Sequence, residues 1–225
     1  NDRIVLVLMT GRPLVIGDLS DRSAAVLQAW HAGSQAGHGL ADVLFGDYNP
    51  SGKLPMSFPH NVGQLPLYYN QKKTGRPGPG RNVFWSGYSD APNEALYPFG
   101  YGLSYTSFEY SDLELAQSTL PLGEPVEVTV QLTNSGAYEG SEVVQLYIRD
   151  RVASTIRPLK ELKGFQKVSL AAGEAQQLRF ILGPDELGFY SSDGRFQIEP
   201  GSFDVFVGGS SVDTLQASFE WLEVE

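Results

Sequence analysis

The sequence predicts an α/β plus all-β chain: a partial α/β sandwich domain on a mostly parallel sheet, followed by an antiparallel β-sandwich. Three observations carry this. The chain opens on a continuous apolar run, Ile4-Val-Leu-Val-Leu-Met9, which reads as a strand buried on both faces, as in a parallel sheet. Beyond Tyr105 the pattern changes to short alternating segments separated by turn residues, the mark of an antiparallel sandwich. Between the two lies a stretch dense in Gly, Pro, Asn and aromatics, which makes ordered loops with large rings held in place. The expected division is 1–105 for the α/β part, with a long aromatic loop over 60–97, then a linker at 106–118 and the sandwich at 119–225.

Within the first part, Thr10-Gly-Arg-Pro13 turns the chain sharply and Leu14-Val-Ile16 reads as a second extended piece. Asp18 to Arg22 supplies N-cap residues for a short helix. Ala24 to Trp30 suits either helix or buried strand by periodicity. Gln35 to Phe45 is the best helix, with Leu40, Val43 and Leu44 as its apolar stripe and Gly46 placed to stop it. From Pro50 to about Tyr105 loop dominates, and a loop of that length in a compact domain is more often functional than idle. In the second part, Val126–Leu132, Glu142–Ile148, Gln177–Leu182 and Gly201–Gly208 read as strands. Turn signals fall at Asn134-Ser-Gly136, Ala172-Gly173, Ser192-Asp-Gly194 and Pro200-Gly201.

Composition bounds the function. Sixteen Lys and Arg against 26 Asp and Glu give a formal charge of −10, which argues against nucleic acid and anionic membrane surfaces as partners. No apolar stretch approaches the ~18 residues of a membrane span. The chain has no cysteine, so disulfides, thiol catalysis and thiolate metal sites are excluded. The opening strand needs neighbours on both sides, so the chain is expected to be part of a longer polypeptide.

Two segments about forty residues apart are the most distinctive: Phe45-Gly-Asp-Tyr-Asn-Pro-Ser-Gly-Lys-Leu-Pro55 and Tyr97-Pro-Phe-Gly-Tyr-Gly-Leu-Ser-Tyr105. With Thr10-Gly-Arg-Pro13, Ala41-Asp-Val-Leu-Phe-Gly46 and Met56-Ser-Phe-Pro59, they closely resemble the C-terminal part of family 3 glycoside hydrolases of the bacterial periplasmic β-glucosidase type. The resemblance covers essentially the whole chain. It implies that Ala24–Trp30 is a strand and that the sandwich is the fibronectin type III-like domain closing many such enzymes. It also implies retaining hydrolysis of terminal non-reducing β-D-glucosyl residues, with β-xylosidase activity or a non-catalytic carbohydrate- or protein-binding spacer as alternatives. The implied partners are an oligosaccharide or aryl β-glucoside, the barrel portion of the same enzyme and a second copy in a homodimer. The implied location is the periplasm or outside the cell, and no cofactor is expected.

Retaining hydrolysis needs two carboxyl groups about 5 Å apart. By the resemblance, the nucleophilic Asp lies on the N-terminal barrel and the acid/base Glu in a loop before the strand matching 4–9. Both are therefore expected upstream of Asn1, and no catalytic residue is assigned in this chain. Asp18, Asp42, Asp47, Asp90 and Glu94 are accordingly given no catalytic role. Tyr68, Tyr69, Arg76, Arg81, Phe84, Trp85 and Tyr88 mix flat rings with cationic donors, the expected lining for the C–H faces and hydroxyls of a sugar. Trp85, Phe84 and Arg76 are the substrate-binding candidates, the alternative being that the rings anchor the loop. Arg12 is expected to serve structure, and Tyr97–Tyr105 to pack at the domain junction. His31 and His38 lack close metal-ligand spacing, and no metal site is expected.

Overall fold

The computed structural model describes residues 3–73, 75 and 86–223. Strand β1 (Val5–Leu8), helix α1 (Gly17–Asp21) and strand β2 (Ala25–Gln28) form a short crossover unit. β1 and β2 pair in parallel, Val5 opposite Ala25 through Leu8 opposite Gln28. The ambiguous Ala24–Trp30 segment is thus a strand. Leu14–Ile16 is not: it joins no strand among the described residues and delivers Ile16 to the start of α1 as a buried residue. β1 is also less covered than its apolar run predicts. Among the described residues β2 is its one strand partner, and Val5 remains 47% exposed.

A 3₁₀ turn at Gly33–Gln35 leads into α2 (Ala36–Phe45). Gly46, at φ +88°, ends the helix in the left-handed conformation that side chains resist. The next sixty residues contain no strand among those described. They are ordered by two short returns that bond to one another. Leu54 N–H reaches Tyr101 O at 2.8 Å and Gly100 N–H reaches Leu54 O at 2.7 Å; Phe58 exchanges bonds with Leu96 and Tyr97. These returns supply Phe58, Leu54, Leu96 and Tyr97 to a small core with Leu6, Leu8, Ile16, Val26 and Trp30. The two distinctive sequence segments are therefore one structural unit.

The sandwich begins earlier than expected. β3 (Phe108–Leu115) occupies most of the 106–118 stretch read as a linker, and pairs with β5 below. Its alternation is broken by a bulge between Ser111 and Glu114, with Asp112 at φ +50°, which hid the strand behind polar residues. There follow β4 (Thr119–Pro121), β5 (Val126–Asn134), β6 (Gly140–Asp150), β7 (Glu161–Leu170), β8 (Ala175–Leu182) and the single turn α3 (Pro184–Leu187). The hairpin β9 (Phe189–Tyr190) and β10 (Phe196–Gln197) precedes β11 (Gly201–Gly208) and β12 (Thr214–Leu222). One sheet has the order β3-β5-β8 and the other β4-β12-β11-β6-β7, with every pairing antiparallel except β4 with β12.

The core follows from period-two alternation. Val126, Val128, Val130 and Leu132 of β5 face Val144, Leu146 and Ile148 of β6 and Val205 and Val207 of β11, all essentially inaccessible. Phe203, Phe219 and Trp221 close one end as a ring cluster, and the Trp221 indole N–H is satisfied by Glu124 O at 2.9 Å. Among the described residues no helix is long and apolar enough to cross a membrane.

Candidate functional site

β6 breaks the alternation rule in a way that locates the joint between the two parts. From Val144 to Ile148 every residue is buried, so its outward face must also be covered. The cover is Tyr97–Tyr105. Gln145 donates to Gly100 O at 3.1 Å and Gly209 O at 2.7 Å, and accepts from the Tyr147 hydroxyl. Tyr69 stacks on Phe99 at 4.1 Å and meets Tyr147 edge-on at 6.0 Å. Tyr97 stacks on Tyr101 at 5.3 Å, and its hydroxyl bonds to that of Ser20 on α1. Gly100, at φ +80°, has no room for a Cβ, which would lie 2.0 Å from Gln145 Oε1. The aromatic segment packs the junction.

A buried ion pair crosses the same joint. Lys53 Nζ lies 2.8 Å from Glu142 Oε1, both side chains being largely shielded. Lys53 also donates to Gly102 O, and the Tyr110 hydroxyl donates to Glu142 at 2.9 Å. Burial first, then the Glu142 charge, pushes the Tyr110 phenol well above its ordinary range. Lys160, from the β6–β7 connection, was not foreseen from sequence. Its ammonium sits 4.1 Å from the Phe206 ring centre and 5.6 Å from that of Tyr147, and donates to Ser211 O and Thr214 Oγ1. Desolvation nonetheless lowers its pKa to about 8.

The aromatic loop is tied down on both sides of its central part. Gln64, 1% exposed, uses its whole amide. Oε1 accepts from His60 N–H and Asn61 N–H, and Nε2 donates to Pro92 O at 2.8 Å and Glu94 O at 3.0 Å. Asn93 holds the returning chain at Tyr88 N–H and Ser86 O. The outgoing chain is fixed to the sandwich by Leu159 N–H to Gln71 O and by Leu162 N–H to the Tyr69 hydroxyl. Tyr69 is thus a structural anchor, whereas Tyr68 and Tyr88 are exposed. The substrate-binding candidates Arg76, Phe84 and Trp85, and Arg81 with them, lie outside the described residues. So does Asn1, ahead of which both catalytic carboxylates are expected.

Asp18, Asp42, Asp47, Asp90 and Glu94 are all exposed. His31 packs over Gly11, its Nε2 standing 2.6 Å from where a Cβ would be. Among the described residues no group of three His, Asp or Glu is placed to hold a metal ion. What the described residues offer chemically is a rigid frame: a junction of rings and buried polar pairs from which a loop is presented.

A frame of this kind, on an α/β piece joined to a β-sandwich, defines a two-domain segment. Residues 1–105 match the glycosyl hydrolase family 3 C-terminal domain, and residues 142–211 the fibronectin type III-like domain. The chain belongs to family 3 of the glycoside hydrolases and carries these two domains. It is 48% identical over 97% of its length to a periplasmic β-glucosidase of Salmonella typhimurium, and 42% identical over 92% to a β-xylosidase of Formosa agariphila. The solved β-glucosidase of Listeria innocua in complex with gluconolactone superposes with a TM-score of 0.94 at 44% identity, covering 99% of this chain and 31% of that one. The chain spans less than a third of the length of these relatives, 29% of the first and 28% of the second.

Proposed function

We propose that this chain is the C-terminal part of a retaining β-glucosidase that removes terminal non-reducing β-D-glucosyl residues from oligosaccharides or aryl β-glucosides. The support is a likeness that runs through nearly every residue of the chain, in sequence to a periplasmic β-glucosidase and in backbone to a β-glucosidase bound to gluconolactone. On this reading β1 and β2 are two members of a larger, mostly parallel sheet. The catalytic Asp comes from the barrel and the acid/base Glu from the earlier part of the α/β domain, both upstream of Asn1. Residues 1–105 complete the α/β domain, and the sandwich runs from β3 onward. The loop presented by Gln64 and Asn93 shapes the sugar entrance through Arg76, Phe84 and Trp85. The working location is the periplasm or outside the cell, and a homodimer is the assembly expected.

β-Xylosidase activity is the second reading, favoured by the 42% identity to the Formosa protein. The two separate on one measurement, kcat/KM of the complete polypeptide on aryl β-glucoside and aryl β-xyloside. A preference for the glucoside is expected, and a preference for the xyloside replaces the first reading with the second. Replacing Trp85 with Ala is expected to raise KM on cello-oligosaccharides about fivefold, the worth of one ring contact of about 1 kcal/mol. Unchanged kinetics would remove the loop from the site.

A further inference from the structure

We infer that the open groove between α2's exit and the β5–β6 hairpin is a binding site for a neutral oligosaccharide chain. The groove is about 820 Å³ and is lined by Gly46, Asp47, Tyr48, Asn49, Tyr105, Tyr138, Glu139, Gly140 and Ser141, a volume within the ~300–1,000 Å³ of small-molecule sites. Three tyrosine rings open onto it, each about half exposed or more: Tyr48 51%, Tyr105 47% and Tyr138 65%. Exposed rings in a concave surface fit the apolar C–H face of a sugar.

The floor is built rather than incidental. Asn49 spends its amide across the joint, accepting from Ser104 Oγ and Tyr105 N–H, both at 2.8 Å, and donating to Glu139 O at 2.9 Å. The Tyr105 hydroxyl is held by Val43 O at the end of α2. Gly140 lets the strand pack closely beneath the floor, since a Cβ there would lie 2.7 Å from Thr106 Cγ2 and 2.9 Å from Asn49 Nδ2. The Tyr105 ring and the floor are therefore fixed by the fold, while Tyr138 projects from the hairpin.

The charge selects the ligand class. Asp47 and Glu139 bring two exposed carboxylates and no lining cation, in a chain of net charge −10. They accept from sugar hydroxyls and repel uronic acids, sulfated glycans and phosphates. Choosing a neutral glycan over a basic peptide, which the same carboxylates would tolerate, rests on the glycosidase reading above.

The test is affinity electrophoresis of the complete polypeptide through gels containing a soluble mixed-linkage β-glucan, whose long chains present few ends. Wild type is expected to be retarded. Tyr138→Ala weakens the retardation constant about fivefold and Tyr138→Phe preserves it, with unfolding midpoints unchanged. Asp47→Asn with Glu139→Gln keeps neutral binding but gains retardation by a carboxylated glucan. Absence of wild-type retardation, equal mobility of Tyr138→Ala, or retention by polylysine alone overturns the proposal. Hydrolysis of an aryl β-glucoside by the same preparation reports on the glycosidase reading separately, so a failure of one is not mistaken for the other.

Discussion

Lys53 shows how a residue in a recognisable motif can be structural. Its ammonium and the Glu142 carboxylate are 2.8 Å apart and shielded from water, so removing one partner strands the other. Lys53→Met is expected to lower the urea unfolding free energy by about 3 kcal/mol, and adding Glu142→Gln is expected to recover most of it. Strict additivity in that double-mutant cycle would show the pair to be uncoupled. Lys160 makes the opposite point, since burial opposes its charge. Two ring faces and two oxygen acceptors favour the ammonium, yet desolvation prevails and the folded pKa falls from 10.5 to about 8. Between pH 8 and 10.5 the unfolded chain then binds more protons than the folded one, so this residue makes stability rise with pH. Urea titrations at about pH 7 and pH 10, on either side of most of that window, are expected to show the rise relative to Lys160→Met. A parallel response in the two proteins would contradict it.

At the scale of elements, the loop over 60–97 depends on very few side chains. Gln64 satisfies two N–H groups on one stem and two carbonyls on the other, from a position with no access to solvent. Gln64→Glu keeps the acceptor and turns the donor into an anion facing Pro92 O and Glu94 O. A cost of roughly 2–3 kcal/mol is expected, visible as faster hydrogen exchange at the amides of Ser86 to Glu94. Unaltered exchange there would mean that Asn93 and the Phe58–Tyr97 bonds suffice. β6 is the second element of consequence. Its inward face was legible from alternation, but its outward face, carrying Gln145 and Tyr147, holds the first domain, while Glu142, in step with Val144, pairs with Lys53. A polar residue such as Gln145 is hard to read as buried until the backbone carbonyls that it meets are known.

For the whole molecule, the proposed division of labour predicts that residues 1–225 alone give no measurable turnover of an aryl β-glucoside, while the complete polypeptide does. Clear hydrolysis by the pure 225-residue chain would place both carboxylates within it, against the expectation that they precede Asn1. The sequence by itself determined the family, the helix ended by Gly46, and the sandwich strands with clean alternation such as β5 and β11. Those features rest on local periodicity and turn chemistry, which are written along the chain. β3 escaped because a bulge shifts its pattern, and β7 because Gly164 and charged residues interrupt the alternation. The tertiary structure alone decided that Phe45–Pro55 and Tyr97–Tyr105 form one hydrogen-bonded unit, that Tyr69 is an anchor, and that Tyr48, Tyr105 and Tyr138 share a groove. Each of these joins residues roughly thirty to ninety positions apart, and no local pattern encodes which distant backbone atoms a side chain will meet once the core has closed.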